Sequence, residues 1–236
     1  MSAEITITID GVEIPAEPGQ TIMQAADAAG IYIPRLCYHA DLFPGGHCRI
    51  CTVKVNGRPT NSCTFPVDDG LIIENDTEEL NALRRNIVEM LFVEGNHHCP
   101  TCEESGRCEL QALAYRLGLT GMTLPYLLPD RDVDATHPDV YMDHNRCVRC
   151  GRCVRSSVEI DKKGVFGFEN RGARMRVAVG SSKGLGGTDL TAEDKAPDYC
   201  PTGALERKHR GYDVPYGRRK YDTQPIGSDI EQKATT

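Results

Sequence analysis

The chain contains no tryptophan and only 5 phenylalanines in 236 residues, so the aromatic platforms on which nucleic-acid bases stack are scarce. Positive charge is in deficit as well: the formal net charge is −7 and the pI about 5.5, which argues against nucleic acid or an anionic membrane as the main partner. No run approaches the roughly 18 apolar residues of a membrane span. The N-terminus, Met1-Ser-Ala-Glu-Ile-Thr6, lacks the basic-then-apolar layout of a secretion signal. These features predict a reducing cytoplasm, where structural disulfides are disfavoured. An even cysteine count is missing too: eleven thiols cannot all pair. With 39 % hydrophobic residues and a mean hydropathy of −0.40, the chain suits two or three small modules with partly inorganic interiors better than one large core.

Cysteine in fixed spacing is what the chain does have. Cys147-x2-Cys150-x2-Cys153, answered by Cys200-Pro201, is the ligand pattern of a 4Fe–4S cubane: three thiolates from a compact run and a remote fourth followed by proline. Gly151 within the run would let backbone pass close to inorganic sulfide. A zinc ribbon would need a second C-x2-C pair, and Cys200 stands alone.

A second group, Cys37-x10-Cys48-x2-Cys51-x11-Cys63, offers four thiolates to a 2Fe–2S rhomb. Its ten-residue gap departs from the plant-type spacing, and a four-thiolate zinc site is the rival reading. Gly45 and Gly46 would let backbone amides approach the sulfides. The third group, Cys99-x2-Cys102-x5-Cys108, has only three cysteines, with His97 and His98 just upstream. A neutral imidazole can replace a thiolate on iron. His98 adjoins Cys99, whereas His97 has a spacer residue and more freedom, so His97 is the expected fourth ligand. The eleven cysteines then divide as four, three and four.

The surrounding pattern is α+β. Residues 4–8 and 12–15 flank Asp10-Gly11 and predict a hairpin. Thr21 and Gln24 predict a capping box opening an alanine-rich helix that ends at Gly30. Strands are expected at 51–55, 60–65 and 71–74, with Asn56-Gly57 as a turn. Asp76 to Glu79 predicts a second capping box, followed by a helix with Leu80, Leu83, Ile87, Met90 and Leu91 on its apolar face and its end at Gly95. A shorter helix is expected over 109–117, a proline-containing linker over 118–138, and strands at 165–168 and 175–179. The chain therefore divides into a β-grasp 2Fe–2S ferredoxin domain (1–76), a short helical 4Fe–4S module with His97 and three cysteines (77–118), a small ferredoxin-like 4Fe–4S module (139–205) and an extended C-terminal tail (206–236). The tail is basic through Arg218-Arg-Lys220 and is expected to dock on a partner.

No residue stands out as catalytic. The glycine-rich Gly180–Gly187 stretch lacks the phosphate-loop spacing and the G-x-G-x-x-G of a dinucleotide fold, and is expected to be a flexible loop. Asp132, Asp134 and Asp139 are expected to be solvated.

The order of the three groups resembles the N-terminal region of the large iron–sulfur subunit of complex I. Cys99-Pro-Thr-Cys102-Glu-Glu-Ser-Gly-Arg-Cys108-Glu-Leu-Gln111 is especially similar. Glu94-Gly-Asn-His-His-Cys99 and Ala112-Leu-Ala-Tyr-Arg-Leu-Gly118 resemble the small diaphorase subunit of soluble NAD-reducing nickel–iron hydrogenases, over roughly residues 1–222. That resemblance implies an electron relay between a nickel–iron hydrogenase dimer and a larger diaphorase subunit that carries FMN and binds NAD, with no active site on this chain. The equivalent subunit of an NAD-linked formate dehydrogenase, or a short complex I-type subunit, carries the same chemistry; a zinc-stabilised adaptor is the rival of another class. In the related pattern of complex I the histidine precedes the first cysteine by four positions, and here that position is Gly95.

Overall fold

The structure is a computed structural model, and it describes residues 5–232. Glu4, the first residue of the expected opening strand, and the last residues of the tail lie outside the described residues.

Strands β1 (Ile5–Ile9) and β2 (Val12–Ala16) form the expected antiparallel hairpin, with Ile9 opposite Val12. Its turn residues Asp10 and Gly11 have φ of 49° and 83°, the left-handed pair that tight hairpins require. Helix α1 (Ile22–Ala28) starts at Thr21, whose hydroxyl accepts the Gln24 N–H while the Gln24 side chain accepts the Thr21 N–H, so the capping box is real. Strands β3 (Thr52–Val55), β4 (Arg58–Asn61) and β5 (Ile72–Glu74) complete a five-stranded sheet in the order β2-β1-β5-β3-β4, with β1 and β5 parallel. The strand expected over 60–65 is thus shifted toward the Asn56-Gly57 turn. It lies at the sheet edge, where Pro59 lacks no ladder bond. Ile7, Ile9, Ile22, Met23, Val53 and Ile73 form the core between α1 and the sheet, and Cys51 and Cys63 belong to that same core.

Helix α2 (Glu78–Glu94) corrects two expectations. Its N-cap is Thr77, whose hydroxyl accepts the Leu80 N–H; Leu80 occupies the position where a capping box needs Glu or Gln, so no box forms. The buried face runs Leu80, Arg84, Val88, Phe92, while Leu83 and Met90 are exposed. Arg84 can enter the interior because its guanidinium donates to the carbonyls of Ile50, Asn75 and Thr52 at 3.2, 2.8 and 3.0 Å.

After α3 (Glu109–Arg116), the expected linker is partly structured. Its β6 (Val133–Asp134) adds to β7 (Val140–Asp143), which pairs on its other side with β10 (Leu205–Arg207). Helix α4 (Arg152–Glu159) and the hairpin of β8 (Phe166–Glu169) and β9 (Arg176–Val179) pack with them around Val140, Met142, Phe166, Val177 and Leu205. The glycine-rich stretch is fastened here rather than loose. Leu185 is fully buried and its N–H donates to Asp134, the Gly186 N–H donates to Thr136, and a Cβ on Gly186 would lie 2.6 Å from the Thr136 carbonyl oxygen. Asp134 is correspondingly a structural acceptor and not only a solvated linker residue.

The tail carries two short helices, α5 (Lys220–Thr223) and α6 (Ser228–Glu231), and folds back on its own chain. Ile226 packs with Tyr32 and Ala112, and Arg116 pairs with Glu231 at 2.5 Å. Within this chain the tail packs on the first module at Tyr32 and on the His/Cys module at Ala112 and Arg116.

Candidate metal centres

The first cysteine group lies at the margin of the five-stranded sheet. Cys51 immediately precedes β3 and Cys63 follows β4, so the Asn56-Gly57 hairpin brings them together. Cys37, Cys51 and Cys63 are buried, and the Cys48 N–H donates to the Cys37 sulfur at 3.4 Å. The four thiols fall into two pairs. Cys48 donates to Cys37 and holds the Cys37 thiol well below its usual range, while Cys63 does the same to Cys51; each donor is correspondingly pushed up. Two sulfur pairs side by side match the two thiolates per iron of a 2Fe–2S rhomb. The glycines before Cys48 have conformational reasons: Gly46 has a φ of +64°, and a Cβ on Gly45 would lie 2.4 Å from the His47 ring.

The second group surrounds a cavity of about 230 Å³ lined by His97, Cys99, Cys102 and Cys108, with Phe92 and Gln111 on the helical side and Arg146 and Thr202 on the side of the third module. Cys99 begins a single 3-10 turn, Cys102 ends it, and Cys108 is the N-cap of α3. His98 is exposed. His97 stacks edge-on against Phe92, with ring centroids 5.5 Å apart, and its Nε2 is buried without a hydrogen-bond partner. Burial, reinforced by the positive charges of Arg146 and Arg131, pushes the His97 pKa down to about 4, so the ring is neutral and keeps a lone pair for a metal. A Cβ on Gly95 would lie 2.4 Å from His97 Nε2, so a side chain at 95 and the imidazole of 97 claim one space.

The third group is Cys147, Cys150 and Cys153, with Cys200 across a narrow space also lined by Met142, Val177, Pro201 and Leu205. Burial pushes the thiols of Cys147 and Cys150 up to about 11 and 12, and that of Cys153 well above its usual value. Such thiols ionise only against a strong local positive charge, which bound iron supplies. The Leu205 N–H donates to the Cys200 sulfur at 3.4 Å. Gly151 takes the left-handed conformation at a φ of +70° as N-cap of α4, and a Cβ there would meet the Phe168 ring at 3.2 Å. Its requirement is therefore conformational, in addition to any approach to sulfide.

The three groups adjoin one another. Arg152 donates to the Tyr38 carbonyl and Arg155 to the carbonyls of Cys37 and Phe43, which ties the third group to the first. The Glu109 N–H donates to Pro201 O at 2.8 Å, which ties the third to the second, while the Thr202 hydroxyl donates to Arg146 O at 2.8 Å within the third module. Thr202 lines the spaces of both. Sequence reasoning passed over Arg146, Arg152 and Thr202; the arginines at 149, 152 and 155, interleaved with the cysteines, were the available signal. Among the described residues, no three His, Cys, Asp or Glu side chains converge closely enough to hold a single ion. Three thiols, a neutral buried imidazole with an unpartnered nitrogen, and a second ring of four thiols fit iron–sulfur clusters. Among the same residues, no helix is long and apolar enough to cross a membrane.

Three family models match in succession: a 2Fe-2S iron-sulfur cluster binding domain over residues 2–78, an NADH-ubiquinone oxidoreductase-G iron-sulfur binding region over 84–122, and the ferredoxin-like domain of NADH-quinone oxidoreductase subunit 3 over 137–206. The gamma subunit of the NAD-reducing hydrogenase HoxS from Cupriavidus necator is 39 % identical over 94 % of this chain and 95 % of its own length. The mitochondrial 78 kDa subunit of NADH-ubiquinone oxidoreductase from Candida albicans is 32 % identical over 97 % of this chain, which spans 32 % of that larger protein. A chain in the crystal structure of an NAD+-reducing [NiFe]-hydrogenase in the H2-reduced state superimposes with a TM-score of 0.93 at 44 % identity, covering 98 % of both chains. The chain belongs to the family of iron–sulfur electron-transfer subunits of NAD-reducing [NiFe]-hydrogenases.

Proposed function

We propose that this subunit relays single electrons through one 2Fe–2S and two 4Fe–4S clusters, between a nickel–iron hydrogenase dimer and a diaphorase subunit that carries FMN and binds NAD. Cys37, Cys48, Cys51 and Cys63 would hold the 2Fe–2S cluster. His97, Cys99, Cys102 and Cys108 would hold one 4Fe–4S cluster, and Cys147, Cys150, Cys153 and Cys200 the other. When bound, such clusters accept and release one electron at a time, which reconciles the two-electron chemistry of hydrogen with that of NADH through a flavin. The chain's own part is to hold the sulfur groups apart at fixed spacing, exclude water from them and supply fixed charges nearby.

The observation that carries this reading is the contact of the third group with both others, through Arg152 and Arg155 to the first and through the Glu109 contacts with Pro201 and Arg152 to the second. Sequence order is first, second, third; the contacts support a path in which the third lies between. His97 is the fourth ligand of the second group, supported by its unpartnered Nε2 and by Gly95, whose missing side chain leaves room for the ring.

Purification with its partners tests the assignment. About ten irons per chain, little zinc and a nickel-bearing partner are expected. A molybdenum-bearing partner would move the subunit to a formate dehydrogenase, and three zincs without visible absorption would make it an adaptor. His97→Ala should remove or alter one 4Fe–4S EPR signal while His98→Ala leaves it; the opposite pattern transfers the ligand to His98. The double variant Gly95→His with His97→Gly should restore the signal that His97→Ala loses. Cys150→Ser should slow hydrogen-driven NAD reduction and spare NADH-driven dye reduction at the flavin.

A further inference from the structure

One side chain reaches loops from all three cysteine groups. Arg152, between Cys150 and Cys153, is 2 % exposed. Its Nη1 and Nη2 donate to the two oxygens of Glu109 at 2.7 Å each, and Nη2 also donates to the Tyr38 carbonyl at 2.8 Å. Glu109 directly follows Cys108, and Tyr38 directly follows Cys37. The planar fork matches the carboxylate at two points, a geometry that an ammonium cannot reproduce. The remaining nitrogen, Nε, is buried and has no hydrogen-bond partner.

A buried cation beside a cluster favours the added electron, because low polarizability around it leaves its field weakly screened, and the carboxylate paired with it, Glu109, whose side chain is 25 % exposed, opposes that pull more weakly. We propose that Arg152, clamped by Glu109, is a positioning residue that fixes the three ligand loops against one another and sets the redox equilibrium of the cluster held by Cys147, Cys150, Cys153 and Cys200. The pair acts through opposed charges: Arg152 pulls the electron onto that cluster and Glu109 limits the pull. This rests on the cluster assignment above, and extends it to residues that bind no iron.

The test is an EPR-monitored redox titration of the intact complex, with iron counted per chain in every variant. Arg152→Gln should lower the reduced-to-oxidised ratio of that cluster at a fixed potential by about tenfold, and Glu109→Gln should raise it by less. Arg152→Gln combined with Glu109→Gln should return the ratio toward wild type, and Arg152→Lys, which keeps the charge and loses the fork, should stay closer to wild type than Arg152→Gln. A purely structural role predicts no opposed shifts and no cancellation. Should Arg152→Gln fail to load iron, Glu109→Gln decides alone, since it keeps the shape of the acceptor; an unmoved ratio there overturns the proposal. Full iron content with unmoved ratios overturns this proposal and leaves the cluster assignment standing. Wild-type protein without iron overturns both.

Discussion

The first and second cysteine groups are positioned by opposite means. Cys51 and Cys63 flank the two strands of one hairpin, and the main-chain ladder between β3 and β4 brings them together; the aliphatic core of Ile7, Val53 and Ile73 does the rest. Around the second group the backbone from Thr101 to Gly106 forms no ladder, and most of its carbonyls need partners from elsewhere. The Glu104 carbonyl is satisfied locally by the Arg107 and Cys108 N–H groups, and the tail reaches the other five. Tyr212 donates to Thr101 O at 2.8 Å, Tyr216 to Cys102 O at 3.0 Å, Arg219 to Glu103 O at 2.7 Å and to Ser105 O at 2.6 Å, and the Tyr221 N–H to Gly106 O at 2.8 Å. Arg219 is 2 % exposed and stacks on Tyr216 at 4.3 Å from the ring centre. A sheet satisfies its own backbone, whereas an irregular ligand loop borrows its satisfaction from a segment more than a hundred residues away.

That contrast can be broken most severely by removing iron. Ligand binding to iron is folding energy where little regular structure exists without it. Chelated protein should lose amide protection over 95–110 and 212–230 while Ile7 and Ile9 stay protected in hydrogen exchange; uniform loss would erase the distinction. Next, Ile7→Ala, in a fully buried position, should destabilise the sheet domain by about 2–5 kcal/mol and weaken the 2Fe–2S signal, leaving both 4Fe–4S signals in place. Arg219→Ala should do the reverse. Losing its carbonyl bonds should cost about 3 kcal/mol, read as faster exchange over the loop of Cys99 to Cys108 and loss of the second group's EPR signal with the 2Fe–2S signal unchanged. The smallest effect is expected from Tyr216→Phe, which drops one bond to Cys102 O but keeps the ring under Arg219: about 1 kcal/mol, visible as a modest fall in the melting temperature.

Much of this molecule was legible in short stretches. Asp10-Gly11 and Asn56-Gly57 announce their hairpins, and Thr21 with Gln24 announces α1, because each device is completed within four residues. The cysteine groups were readable for the same reason: spacing such as Cys147-x2-Cys150-x2-Cys153 is local geometry written directly in the chain. Where the reading went astray, a distant acceptor was responsible. Arg84 displaced Leu83 and Met90 from the buried face of α2 because three carbonyls from other segments receive it. The glycine-rich stretch is fastened because Asp134 and Thr136 stand opposite it.

The sequence by itself determined the spacing of the eleven cysteines in three groups and the histidine pair beside Cys99. Tertiary structure alone decided that His97 fills the space above Gly95, that the third group touches both others, that the tail closes over the second, and that Arg152 meets Glu109. Hydrogen-bond acceptors on the backbone are identical at every residue. Nothing in an arginine's neighbours therefore names the carbonyl or carboxylate it will find until the fold has brought the two together.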